Sequence, residues 1–165
     1  MVVLAVAAVL ATAFLLAPPM GTDLSAQVAR AAFFTRHGFV PIDFGWYGGI
    51  SPYGYSLLTP PLMSWAGPGT TGPRVVGAIA LVVSALALLG VFRRTGALRP
   101  LLGGVLGAGC IAGNLVSGRI TYAVGVAFGL LALFALTIPA TTRWWRRPAA
   151  GVLALLAAAA SPVAG

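Results

Sequence analysis

Residues 21–73, GTDLSAQVARAAFFTRHGFVPIDFGWYGGISPYGYSLLTPPLMSWAGPGTTGP, lie between two long apolar runs and decide how the whole chain is read. Asp23 and Asp43 are the only carboxylates in 165 residues, and His37 is the only histidine. Acid–base or metal chemistry that needs these side chains must therefore use this loop. The rest reads as a membrane scaffold.

That reading rests on composition. The chain is 59% hydrophobic and 7% charged, with a mean hydropathy of +0.99; a soluble domain carries roughly 25% charged residues. The net charge of +8 comes from arginine alone, since no lysine is present. The arginines sit in short groups between apolar runs, the pattern of topology signals and phosphate contacts at a membrane surface. They make no continuous footprint for a nucleic-acid backbone, so nucleic acid is not an expected partner. Cys110 is solitary and reads as a small buried hydrophobe, with no disulfide framework or thiolate cluster. The N-terminal run has no basic residue ahead of it and no clear cleavage site, which favours an uncleaved membrane helix over a signal peptide.

Crossing a hydrocarbon core takes about 20 apolar residues. Five segments approach this, residues 2–18, 75–92, 101–117, 120–139 and 149–164, which predicts an all-α polytopic bundle of about five transmembrane helices. Arg93, Arg94, Arg99, Arg143, Arg146 and Arg147, six of the ten arginines, fall in two loops that alternate to one side. Arginine excess marks that side as cytoplasmic. Residues 19–73 and Arg119 then face outward, in a multi-pass protein of the cell membrane. Trp144 and Trp145 belong at the inner interface. Gly103/Gly107, Gly109/Gly113 and Gly125/Gly129 have the four-residue spacing that lets helices approach closely. Asn114 is expected to cross-link helices by a hydrogen bond. The last segment is short and ends in Pro162 and Gly165, as if the chain were the N-terminal part of a larger protein completed by further C-terminal membrane helices and inactive without them.

Within the outer loop, Thr22 or Asp23 can cap a helix that Gly38 ends, with apolar positions at Leu24, Val28, Ala31 or Ala32, and Phe34 or His37. Such a helix suits the outer membrane face. Beyond Pro41, glycines punctuate an aromatic run of Phe44, Trp46, Tyr47, Tyr53 and Tyr55. This run fits an acceptor-saccharide or lipid-headgroup surface, and equally an interfacial aromatic belt. Pro60-Pro61 would break any helix starting near Tyr55. His37 reads as a helix-end or solvated residue. No metal-ligand spacing is present; a divalent cation would have to use Asp23, Asp43 and water.

GTDLSAQVARAAFF, FGWYGGISPYGYSLLTPP and SGRITYAVGVAFGLLAL resemble segments of GT-C-like polytopic membrane glycosyltransferases of high-GC actinobacteria. The resemblance implies a cell-envelope enzyme that takes a sugar from a polyprenyl-phosphate donor, with an essential aspartate in the first extracytoplasmic loop. On that resemblance Asp23 is the catalytic acid–base residue, Arg119 the clamp on the donor phosphate, and Asp43 the candidate second acid. Trp46, Tyr47, Tyr53 and Tyr55 supply the acceptor or headgroup surface, and membrane lipids are partners. An inactive relative remains open. So does a different class, a polytopic transporter or structural membrane protein; the scarcity of ionisable residues within the spans counts against transport.

Overall fold

From Pro73 to Arg94 nothing interrupts the helical pattern of RVVGAIALVVSALALLGVFRR, and this segment forms the axis of the molecule. The computed structural model describes residues 1–50, 53–54, 56–139 and 144–164, with Tyr47 described by its backbone alone. The described residues form seven α-helices: α1 Val2–Leu16, α2 Leu24–His37, α3 Thr59–Ala66, α4 Thr71–Arg94, α5 Pro100–Val116, α6 Ile120–Leu136 and α7 Arg146–Ala160. A 3₁₀ turn spans Trp46–Gly49, and an isolated bridge pairs Ile42 with Tyr53. No strand occurs among the described residues, so the all-α architecture read from sequence holds.

α4 has 24 residues, about 36 Å at 1.5 Å per residue, and exceeds a hydrocarbon core of about 30 Å. It is the one described helix with both the length and the apolarity to cross a membrane. α1, α5 and α6 are apolar but have 15, 17 and 17 residues, about 22–26 Å. α7, of 15 residues, opens with Arg146-Arg147-Pro148. The helices are thus shorter than the segments 2–18, 120–139 and 149–164, because Ala17, Thr137 and Ser161 each leave the helix as its C-cap. α4 is longer than 75–92 because Thr71–Arg74 add a first turn in which Pro73, lacking an N–H, removes no helical bond.

α4 packs against α1, α3, α5 and α6, and α6 against α7. Its interior glycines each cost about 1 kcal/mol of helix propensity, offset by close contact. A Cβ on Gly77 would stand 2.8 Å from Ile120 Cδ1, and one on Gly90 2.6 Å from Phe134 Cε2. Gly103 and Gly107 of α5 receive Phe92 and Leu88 of α4 in the same way. Gly125 and Gly129 face residue Ala164 after α7, whereas Gly109 and Gly113 have no neighbour within 4 Å. Cys110 lies exposed on α5, not buried as its sequence context predicts.

The two ends of the bundle differ in chemistry. At one end Arg94 lies over the Phe134 ring at 5.0 Å, and Arg146 Nη1 donates to the carbonyls of Leu136 and Ile138 at the end of α6. Arg93, Arg99 and Arg147 are exposed there; Arg143 falls outside the described residues. At the other end lie α2, α3 and the α5–α6 turn. There Arg74, in the first turn of α4, donates from Nη2 to the carbonyls of Phe14, Leu15 and Ala17. The last carbonyls of a helix have no intrahelical partner, and α1 has no basic residue in its own last turn. Arg74 supplies one from the neighbouring helix.

α2 caps this second end, packing on α3 and on the ends of α4 and α6. Its buried residues are Leu24, Gln27, Arg30 and Ala31. The buried face is therefore rotated from the apolar stripe read from sequence, and it carries polar groups toward the bundle. α3 was hidden in the sequence by Pro60-Pro61. These prolines occupy the first turn of α3, where their missing N–H groups break no helical bond.

Candidate functional site

The start of the loop is fixed by two glycines that face each other. Gly21 and Gly118 adopt φ of +97° and +81°, a region glycine enters without steric cost. A Cβ on Gly21 would lie 2.4 Å from the Ser117 carbonyl carbon, and one on Gly118 2.4 Å from the Leu24 nitrogen. The bare backbones meet, and the Asp23 N–H donates to Ser117 O at 3.3 Å. Residues 21–24 are thereby docked on the α5–α6 turn.

This docking brings together the two residues that sequence reasoning selected separately. Arg119 Nε donates to Asp23 Oδ2 at 3.3 Å, across 96 positions of sequence. Asp23 occupies the N-cap position of α2, yet its side chain makes no capping bond; the carboxylate turns to Arg119 instead. The side chains are 62% exposed for Arg119 and 47% for Asp23. A pair so open to water contributes only about 0–1 kcal/mol, so it is easily exchanged for another ligand.

Asp23 and Arg119 line a cavity of about 450 Å³ with Gln27, Asn114, Thr121 and Tyr122, within the range of about 300–1,000 Å³ typical of small-molecule sites. Ser161 and Val163, following α7, complete the wall. Arg119 is the N-cap of α6, whose N-terminal dipole adds to the guanidinium charge in favouring an anion. Gln27 and Tyr122 were not singled out from sequence, but helical spacing carries the signal: Gln27 is four residues after Asp23 and Tyr122 three after Arg119, so each shares a face with a chosen residue. Ser161 had no such signal, since only the packing of α7 on α6 brings it in. Asn114 lines the cavity and makes no side-chain bond to another helix among the described residues, contrary to the expected cross-link.

The remaining sequence candidates lie elsewhere. Asp43 Oδ1 accepts from Gly45 N at 2.9 Å, a local turn contact, and Asp43 is absent from the cavity wall. Among the described residues no group of three His, Cys, Asp or Glu is placed to hold a metal. His37 is exposed in the last turn of α2, its ring 4.6 Å from that of Phe33. Gly54 N–H donates to Pro41 O at 3.0 Å. Trp46 lies under the Arg30 guanidinium at 5.2 Å and Tyr53 is exposed, and neither reaches the Asp23–Arg119 cavity. Tyr55 and the Tyr47 side chain fall outside the described residues.

The cavity thus offers a carboxylate that accepts a proton or hydrogen bond, a guanidinium suited to phosphate oxygens, and hydroxyl and amide groups for orientation. No family model, curated protein or solved structure matches this chain.

Proposed function

We propose that the chain is a multi-pass membrane protein whose Asp23–Arg119 cavity serves sugar transfer from a polyprenyl-phosphate donor, in the manner of the GT-C-like glycosyltransferases it resembles. The multi-pass reading is supported by large apolar side chains left exposed on several helices: Val9 on α1, Ile79 on α4, Leu106 on α5, Leu133 on α6 and Leu155 on α7. Exposed apolar surface of this extent matches a lipid environment better than water. In that arrangement the arginine-rich end is cytoplasmic and the α2–α3 cap faces outward.

The reading is carried by the contact of Arg119 with Asp23 at the cavity. Asp23 takes the proton of the acceptor hydroxyl as its oxygen attacks the anomeric carbon. The bond from that carbon to the phosphate oxygen breaks, and the lipid phosphate leaves with its charge held by Arg119 and the start of α6. Attack opposite the departing phosphate inverts the anomeric centre.

The competing reading is a structural latch, which the Gly21–Gly118 docking favours. A transfer assay separates them. Membranes from cells producing the protein at its full length are supplied with a radiolabelled polyprenyl-phosphate sugar, and label transferred to envelope acceptors is counted. Asp23→Asn should abolish transfer with normal membrane insertion, because the amide keeps the shape but is no base. Arg119→Ala should chiefly raise the donor concentration required, and Asp43→Asn should act mildly. Transfer by Asp23→Asn near the unmodified level, at equal insertion, leaves only the latch.

A further inference from the structure

A second concavity, of about 750 Å³, opens between α2 and the end of α3. Its chemistry differs from that of the Asp23–Arg119 cavity, and none of its residues was selected from sequence for a ligand. Trp65, the single aromatic of α3, is 71% exposed. Phe34 meets the ring edge-on, with centroids 6.1 Å apart and planes at 83°, which fixes its orientation while leaving it open.

Polar groups of both kinds line the same groove. Thr35 Oγ1 donates to Ala31 O at 3.0 Å and lies 2.8 Å from Ser64 Oγ. With the Thr35 proton committed to Ala31, Ser64 donates to Thr35, and both hydroxyl oxygens keep lone pairs for an incoming donor. Arg36 uses Nε on Ala32 O at 3.3 Å, and its terminal nitrogens supply donors on the same wall. Apolar Val28, Ala31, Ala32 and Pro68, with Gly67 and Gly69, complete the lining. The lining contains no acid.

We propose that this groove binds a saccharide. One face of a pyranose ring is rich in C–H and stacks on an exposed indole, while its hydroxyls need acceptors and donors together at the ring edge. Trp65, the Thr35–Ser64 pair and Arg36 provide those three elements within one groove. Arg36, the sole charge in the lining, favours a sugar bearing a carboxylate or phosphate over its neutral counterpart. The inference goes beyond the transfer reading and does not need Asp23 to be a base.

The test uses the full chain in lipid nanodiscs. The probes are gluco-, manno- and galacto-configured trisaccharides and a trisaccharide ending in glucuronate, with binding followed by saturation-transfer NMR and tryptophan fluorescence. Saturable binding of at least one probe is expected, strongest for the glucuronate form. Trp65→Ala should weaken it about tenfold, the size of one lost stacking contact. Trp65→Phe, which keeps a ring and the fold, should weaken it less, and Trp144→Phe should leave it unchanged. Asp23→Asn should bind as the unmodified chain does, so loss of transfer and loss of sugar binding are separately visible. The proposal is overturned if none of the four probes binds saturably, or if Trp65→Ala binds as tightly as the unmodified chain. It is overturned equally if brominated lipid quenches Trp65 in a chain whose other three tryptophans are phenylalanine, which would seat the ring in the bilayer.

Discussion

Replacing Gly118 by alanine should unseat the outer loop, and the cost can be worked from two separable terms. At φ +81° a Cβ meets the following carbonyl oxygen, a penalty of roughly 1–2 kcal/mol. The same Cβ would stand 2.4 Å from the Leu24 nitrogen and 3.0 Å from its Cα. Both are backbone atoms that cannot rotate away, so relief requires moving the loop, at about 1–3 kcal/mol. The total is about 2–5 kcal/mol, a large share of the margin of a typical domain. Gly96→Ala, just past the end of α4, is the matched control. Its φ is +73°, but no atom lies within 4 Å of the added carbon, so it bears only the conformational term of about 1–2 kcal/mol. Equilibrium unfolding in mixed micelles, titrated with SDS and followed by far-UV circular dichroism, measures both. The difference of about 1–3 kcal/mol is the contribution of the close approach itself. Equal costs for the two variants would refute the docking of residues 21–24 on the α5–α6 turn, and with it the account of why Asp23 meets Arg119.

Two further outcomes follow from the same geometry. Arg74→Met should destabilise by about 1–3 kcal/mol, because the carbonyls at the end of α1 lose a charged donor; Arg93→Gln, at the exposed opposite end, should change stability by less than about 0.5 kcal/mol. The same micelle titration reads both, and a neutral Arg74→Met would show that those carbonyls are satisfied by other groups. For orientation, Ile50→Cys in a Cys110→Ala background places a single thiol at an exposed position of the cap. A membrane-impermeant maleimide should label it in intact cells; labelling only after membrane rupture reverses the orientation.

What could be read from the sequence was whatever depends on local pattern. α2 ends beside its signal, Gly38, since positive φ is a property of a single residue; it also begins beside Asp23, although that side chain makes no capping bond. Asp23 stood out as one of only two carboxylates, whereas Arg119 was selected through the resemblance and its place on the outward side. The failures share a different cause. α3 was obscured because Pro60-Pro61 means a stop in a helix interior and a start in a first turn, and only the position of Thr59 decides between them. The buried face of α2 was misplaced because hydrophobic periodicity assumes that polar residues face away, whereas Gln27 and Arg30 point inward to a cavity and to Trp46. Gly77 and Gly90 of α4 were passed over because neither lies four residues from another glycine. Their partners, Ile120 and Phe134, are large side chains rather than small ones.

The arrangement of the site also has an energetic logic. The glycine contact between Gly21 and Gly118 positions Asp23 through backbone atoms that a ligand does not disturb. The ion pair to Arg119, half exposed and therefore weak, adds little to that positioning. Were the pair alone to hold the loop, a phosphate binding Arg119 would release the loop and scatter the site. Because the backbone holds the loop, a phosphate can take the guanidinium from Asp23 while the carboxylate stays in place. In the proposed transfer, donor binding would thus free Asp23 from its cationic partner as an acceptor hydroxyl needs a base. The weakness common to exposed ion pairs would then serve the mechanism, since a phosphate could displace the carboxylate at little cost.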